Sequence, residues 1–222
     1  MALNISKTPK INLTKGQSIN LTKDGTESTS NLNKVFFGAN WGAIKKGNKS
    51  FFSKLFGSDD ETEAVDLDAS LLLYSDDNTL LEKVYFGHKV SRLGNIKHSG
   101  DDRTGDSGEP DDSDNETIAI GLNSIDKKVT KVVAILNSYT HQTFDEIPYI
   151  GLRIYTGKAN DPDEVLCAYS LANDSNSFVG KEAIVLGHFY RSNSSWLFKA
   201  DGITSTAKSI DEISKTDAIS VL

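Results

Sequence analysis

Val65-Asp66-Leu67-Asp68-Ala69-Ser70-Leu71-Leu72-Leu73 is an apolar run broken at alternate positions by two aspartates. Aspartate is disfavoured inside strands, and a period of two places both carboxylates on one face of an extended chain. The run reads as a strand, Val65 to Tyr74, carrying an acidic pair on one side. That pair is either part of a ligand set or simply the solvent side of a strand's start.

Similar stretches recur on both sides: Lys34 to Asn40, Leu80 to Phe86, Glu116 to Leu122, Thr130 to Tyr139, Tyr149 to Thr156, Val165 to Leu171, Glu182 to Tyr190 and Ser195 to Ala200. They are rich in Val, Ile, Leu, Phe and Tyr and are separated by Gly, Asn, Asp and Ser, the residues of turns. Long amphipathic helical patterns are absent, and only Lys208 to Lys215, with Ile210 and Ile213 three apart, reads as a helix. The pattern predicts an all-β chain, a two-sheet antiparallel β-sandwich with a long acidic loop and a short C-terminal helix. The opening repeat, Ile11-Asn12-Leu13-Thr14-Lys15 and Ile19-Asn20-Leu21-Thr22-Lys23 around Gly16-Gln17-Ser18, alternates apolar and polar and predicts a hairpin added to a larger sheet. We expect a single domain over 1–222, with an insertion at 43–64, a loop at 91–115 and a mobile tail at 203–222.

Charge is concentrated in one place. The 222 residues carry 24 Lys plus Arg and 31 Asp plus Glu, a formal net charge of -7. Between Asp101 and Glu116 eight acids face one base, Arg103, so this window alone carries -7 and the remainder is balanced. A balanced remainder argues against a nucleic-acid surface, which needs a basic excess. Crowded carboxylates repel at separations below the ~8 Å Debye length, and a divalent cation would reverse that term. Calcium, which takes about 6–8 oxygen ligands in a flexible shell, suits such a loop better than magnesium. The competing reading is a solvated acidic loop. Asp112-Ser113-Asp114-Asn115-Glu116 is not an EF-hand, because Thr117 stands where the glycine belongs.

Several ordered motifs now resemble one family. Asp66-Leu67-Asp68-Ala69-Ser70, His98-Ser99-Gly100-Asp101-Asp102-Arg103-Thr104-Gly105 and Asp114-Asn115-Glu116 are similar to the hallmarks of the TerD family of tellurium-resistance and stress proteins. Gly38-Ala39-Asn40-Trp41, Leu186-Gly187-His188-Phe189-Tyr190-Arg191 and Ser195-Trp196-Leu197-Phe198-Lys199-Ala200 resemble further landmarks. Asn137-Ser138-Tyr139-Thr140-His141-Gln142-Thr143-Phe144 and Phe51-Phe52-Ser53-Lys54-Leu55-Phe56 look most like the TerZ subtype. The resemblance implies a β-sandwich that binds calcium, two ions, through Asp66, Asp68, Asp101, Asp102, Asp114 and Glu116, with no enzymatic chemistry. It also implies partners among other tellurium-resistance and stress proteins, including at the inner membrane surface. Two departures stand out: extra residues between Gly105 and Asp114, and Asn115 in place of a second aspartate. Asp106, Glu109, Asp111 and Asp112 are candidates to compensate.

Other signals are weaker. Gly42-Ala43-Ile44-Lys45-Lys46-Gly47-Asn48-Lys49-Ser50 nearly spells a P-loop, but Asn48 separates the glycine from the lysine and no helix follows. The four histidines, His88, His98, His141 and His188, lack metal-site spacing, and His98 reads as a hydrogen-bonded strand-end residue. Cys167 lies in an apolar run and reads as a buried thiol. Lys45 to Phe56 mixes bases with Phe51, Phe52, Leu55 and Phe56, either a docking helix or a segment folded back on the core. With no apolar leader and no apolar span, we expect a cytoplasmic protein. The expected function is calcium-dependent ordering of the acidic loop and partner assembly in stress resistance; a metal-free scaffold binding partners through 43–64 is the alternative.

Overall fold

The computed structural model describes residues 8–12, 14–21, 32–45, 62–107, 111, 113–170, 177–193 and 195–222. Fourteen strands follow one another: β1 (Ile11–Asn12), β2 (Ser18–Asn20), β3 (Val35–Trp41), β4 (Ile44–Lys45), β5 (Thr62–Glu63), β6 (Leu67–Tyr74), β7 (Leu80–Val84), β8 (Asn95–His98), β9 (Glu116–Gly121), β10 (Lys131–Ser138), β11 (Ile150–Lys158), β12 (Asp161–Ser170), β13 (Ala183–Ser192) and β14 (Ser195–Ser205). One sheet runs β1-β12-β11-β3-β9-β8 and the other β2-β14-β13-β10-β6-β7. All pairs in both are antiparallel except β1 with β12.

Alternation along each strand explains the two layers. Val35, Phe37, Ala39 and Trp41 of β3 and Leu67, Ala69, Leu71 and Leu73 of β6 point inward and join one continuous core with Ile118, Ile120, Leu152, Ile154, Leu186 and Phe198. The intervening residues of β6 face outward. Leu72 and Tyr74 form a second apolar cluster with Val133, Ile135, Val185, Ala207, Ile213 and Ala218. This cluster lies beneath the helix α1 (Ile210–Lys215), which Ser209 caps by accepting from the Glu212 amide. Tyr74 Oη donates to the Ser214 carbonyl at 2.8 Å. The 203–222 stretch expected as a tail therefore completes β14 and packs a helix on the sheet; Ile213 and Ala218 are fully buried.

Two further expectations are corrected. The N-terminal repeat is no hairpin: β1 joins β12 of one sheet, while β2 joins β14 of the other. Its alternation reports half-burial but not the partner. The 91–115 loop contains β8, whose Ile96 and His98 are buried and which pairs with β9. The insertion's ends, β4 and β5, pair with each other. Residues 46–61, including the aromatic-basic segment, lie outside the described residues. Among the described residues no helix is long and apolar enough to cross a membrane.

Truncating Ile213, the fully buried anchor of α1, to alanine is expected to cost about 2–4 kcal/mol. Hydrogen exchange over 207–219 should accelerate more than exchange in β10 or β13.

Candidate metal centre

Asp68 on β6 and Asp66 just before it share one side of the chain, as the sequence predicted, and are only 2% and 7% exposed. Neighbouring chain closes over them. The Val65 amide donates to the Thr104 carbonyl at 3.0 Å, and the Tyr139 amide to the Asp66 carbonyl at 2.8 Å. The loop after β8 is stitched down by Ala43 N–H to Asp106 O (2.8 Å) and Asp106 N–H to Trp41 O (3.0 Å). Gly105, at φ +67°, sits against the Trp41 ring; an added Cβ would fall 2.8 Å from Trp41 Cδ1. Only glycine supplies both the left-handed backbone and that clearance. The Trp41 indole in turn donates to the Val65 carbonyl at 2.9 Å.

This stitching brings exposed Asp101 to the buried pair. Carboxylate oxygens of Asp66, Asp68 and Asp101 lie within 4.8 Å of one another. Burial raises Asp66 to about 6, assisted by the Asp101 charge and opposed by Arg103. Burial, then Glu116, Asp66 and Asp101, raises Asp68 to about 8. Asp66 Oδ1 is buried without a hydrogen-bond partner among the described residues. A buried, unpaired carboxylate oxygen on one member of a group of three carboxylates is the hard-donor chemistry that suits a divalent cation.

The other three expected ligands are occupied elsewhere. Glu116 points inward, fully buried, and its Oε2 accepts from the Ala69 amide at 2.8 Å while Oε1 accepts from the Asp102 amide at 3.3 Å. Asp102 Oδ1 accepts from Thr104 N–H, Thr104 Oγ1–H and Gly105 N–H, and its Oδ2 from the Asn115 amide. Burial pushes the Asp102 carboxyl up, but these hydrogen bonds outweigh it and hold it below the usual range. Asp114 lies on the outer face of the opposite sheet, where Arg153 Nε donates to its Oδ1 at 2.8 Å. It rests on Gly38, where any Cβ would come within 2.2 Å of its Oδ2. Asn160, at φ 56°, accepts from the Asp114 amide and donates to its carbonyl.

The compensating acids fare similarly. Asp106 accepts from Asn40, Asn115 and Tyr149, and Asp111 from the Ser113 amide. Glu109 and Asp112 lie outside the described residues. Asn115 is well suited to its place, since its amide bridges Asp102 and Asp106 while its carbonyl accepts from Trp41 N–H at 2.8 Å. A carboxylate could not donate those two bonds.

Sequence reasoning missed one contributor. Asn137 lies opposite Asp68 in the β6–β10 register, is buried, and hydrogen-bonds the Asp68 side chain. The signal was a polar residue ending the apolar run Ala134-Ile135-Leu136. His98 is the hydrogen-bonded strand-end residue that the sequence suggested: Gly100 N–H donates to its Nδ1, so Nε2 carries the proton and donates to the Ala69 carbonyl at 3.0 Å.

Comparison with known proteins agrees with this architecture. The TerD domain model matches residues 10–215. Stress response protein SCP2 of Bacillus subtilis is 31% identical over 96% of this chain and 98% of its own length. Tellurium resistance protein TerZ of Serratia marcescens is 29% identical over 85% of this chain and 89% of its own. The crystal structure of a homologue of telluride resistance protein TerD from Streptomyces coelicolor superposes with a TM-score of 0.59 at 19% identity, covering 82% of this chain and 95% of that one.

The raised carboxyls set a pH dependence for the metal-free protein. Both groups bind protons more tightly folded than unfolded, so their stabilising contribution is complete near pH 4 and is lost as pH rises through about 6 for Asp66 and about 8 for Asp68. In EDTA, Asp68→Asn should therefore raise Tm by several degrees at pH 8 and by little at pH 4. Thermal melts of both proteins across that range check this.

Proposed function

Since the chain belongs to the TerD domain family, whose members here include tellurium-resistance and general stress proteins, we propose that it acts in tellurite and stress resistance as a calcium-binding protein. The observation that carries this reading is the convergence of Asp66, Asp68 and Asp101 within 4.8 Å. Three hard carboxylates, one with an unpartnered buried oxygen, fit calcium, with water completing its flexible shell of about 6–8 oxygens. The ion would supply positive charge where burial and three acidic neighbours oppose ionisation of Asp68. Its remaining effect falls to the protein: Asp101 is on the loop, Asp68 is on β6 and Asp66 immediately precedes it, so coordination would tie the loop to the sandwich. Among the described residues these are the acids gathered closely enough to share an ion, so the reading is one ion on this cluster, with Asp114 and Asp102 in structural roles.

In this reading the protein is cytoplasmic and works by binding, not catalysis. The calcium-ordered loop forms a surface on which other TerD-type proteins assemble, at the inner membrane surface among other places. The loop's acidity suits a cation-bridged contact and disfavours direct capture of an oxyanion.

Isothermal titration with calcium should give saturable heat, and calcium should raise Tm above its value in EDTA by mass action. Asp66→Ala and Asp101→Ala are each expected to weaken binding about tenfold or more, ~1.4 kcal/mol. Asp114→Asn should leave calcium affinity unchanged while lowering stability by about 3–5 kcal/mol, because it breaks the buried Asp114–Arg153 ion pair. Absence of calcium heat at millimolar concentration would sink the reading.

A further inference from the structure

On the outer face of the second sheet, beside the carboxylate cluster, an open groove of about 520 Å³ runs between β7, the end of β10 and the start of α1. That volume is in the range of small-molecule sites, roughly 300–1,000 Å³. Asp68 and Asn137 line it and are 2% and 4% exposed, so they form its floor. The Asn137 side chain hydrogen-bonds Asp68, and Asn137 Oδ1 is left buried with no partner among the described residues. The floor thus offers a carboxyl and an amide oxygen as acceptors, and the amide oxygen lacks a donor among the described residues.

The walls are aromatic. Tyr85 meets Phe86 edge to face at 5.4 Å between centroids, and Phe86 meets Tyr139 the same way at 6.0 Å. Tyr139 is 60% exposed, an unusual position for so large an aromatic. Bases border the groove too, but each has an acid: Lys83 pairs with Asp211, and His141 and Lys208 contact Glu182 at 2.6 and 4.0 Å. The strongest charges acting on Asp68 are instead Glu116, Asp66 and Asp101, all acids. Asp68, at the floor, is thus the acid of the groove with no base beside it among the described residues, and an ammonium would supply the missing positive charge.

We propose that this groove binds an organic ammonium ligand: a primary amine on an apolar or aryl body, with its N–H groups on Asp68 and Asn137 Oδ1 and its body against Tyr85, Phe86 and Tyr139. An ammonium group donates three hydrogen bonds and accepts none, which matches a floor of two acceptors. Aromatic faces attract a cation and pack its hydrocarbon, worth more where water is excluded. An anionic ligand would meet the field of Glu116, Asp66 and Asp101 around Asp68 and would leave Asn137 Oδ1 unpaired. The site goes beyond the calcium reading and does not require it, although Asp68 is common to both.

The test is an NMR and calorimetric titration of the full chain with phenethylamine in EDTA, with 3-phenylpropanoate as the charge-reversed control. Phenethylamine should bind saturably and shift resonances of Asn137, Tyr139 and Phe86; the control should not. Tyr139→Ala, an exposed position, and Asn137→Leu should each weaken binding about tenfold. No saturable amine binding, equal binding of 3-phenylpropanoate, or affinity unchanged by Tyr139→Ala would each overturn the proposal. Because EDTA excludes calcium, these results are read separately from the calcium titration.

Discussion

The structure turns on how one residue of β6 satisfies its backbone. β7 pairs with β6 only from Leu71 onward, so the Ala69 amide and carbonyl face the other sheet without a strand partner. Both are buried, where an unpaired peptide group costs a few kcal/mol. Glu116 Oε2 accepts the Ala69 N–H and His98 Nε2 donates to its carbonyl. Two side chains from β8 and β9 thereby substitute for a missing strand and lock the sheets together at this end. The solution leaves the Glu116 carboxylate in the interior, and its field is among the largest raising Asp68. The acidic cluster is thus a by-product of edge closure as much as of the loop that reaches it.

Strained electrostatics of this kind are retained where something else compensates. On the opposite face the protein compensates internally: Arg153 meets Asp114, and glycine at 38 gives it room. At Asp66 and Asp68 no base pairs with either carboxyl among the described residues; Arg103 opposes the rise at Asp66, but less than Asp101 drives it. The two acidic sites therefore differ in their neighbours: Asp114 meets a base supplied by the fold, whereas Asp66 and Asp68 meet further acids.

Much of this was legible in the residues. Alternation located the long strands, and the period of two in Asp66-Leu67-Asp68 correctly put both carboxylates on one side. Asp114 and Glu116, which the family resemblance placed in one ligand set, are also two apart but part company. Asp114 precedes β9 and turns to the outer face, whereas Glu116 is within the strand and points inward. Asn95-Ile96-Lys97-His98 alternates as clearly as the longer strands but is only four residues long, and its Gly and Ser neighbours hid it within a loop. Register is not written in any one strand, so the pairing of Asn137 with Asp68 was out of reach. For the same reason the two copies of the N-terminal repeat gave no sign that they would be divided between sheets.

The pairing of Ile44–Lys45 with Thr62–Glu63 bears on how this fold can diverge. Chain leaves and re-enters the described sandwich at adjacent points, so the two ends of the intervening stretch are already held together. Closure entropy grows only with the logarithm of length, about 0.6 kcal/mol for each doubling. Selection can therefore lengthen, shorten or recompose that stretch at almost no cost to the core, which makes it the natural place for relatives on one scaffold to become different from one another.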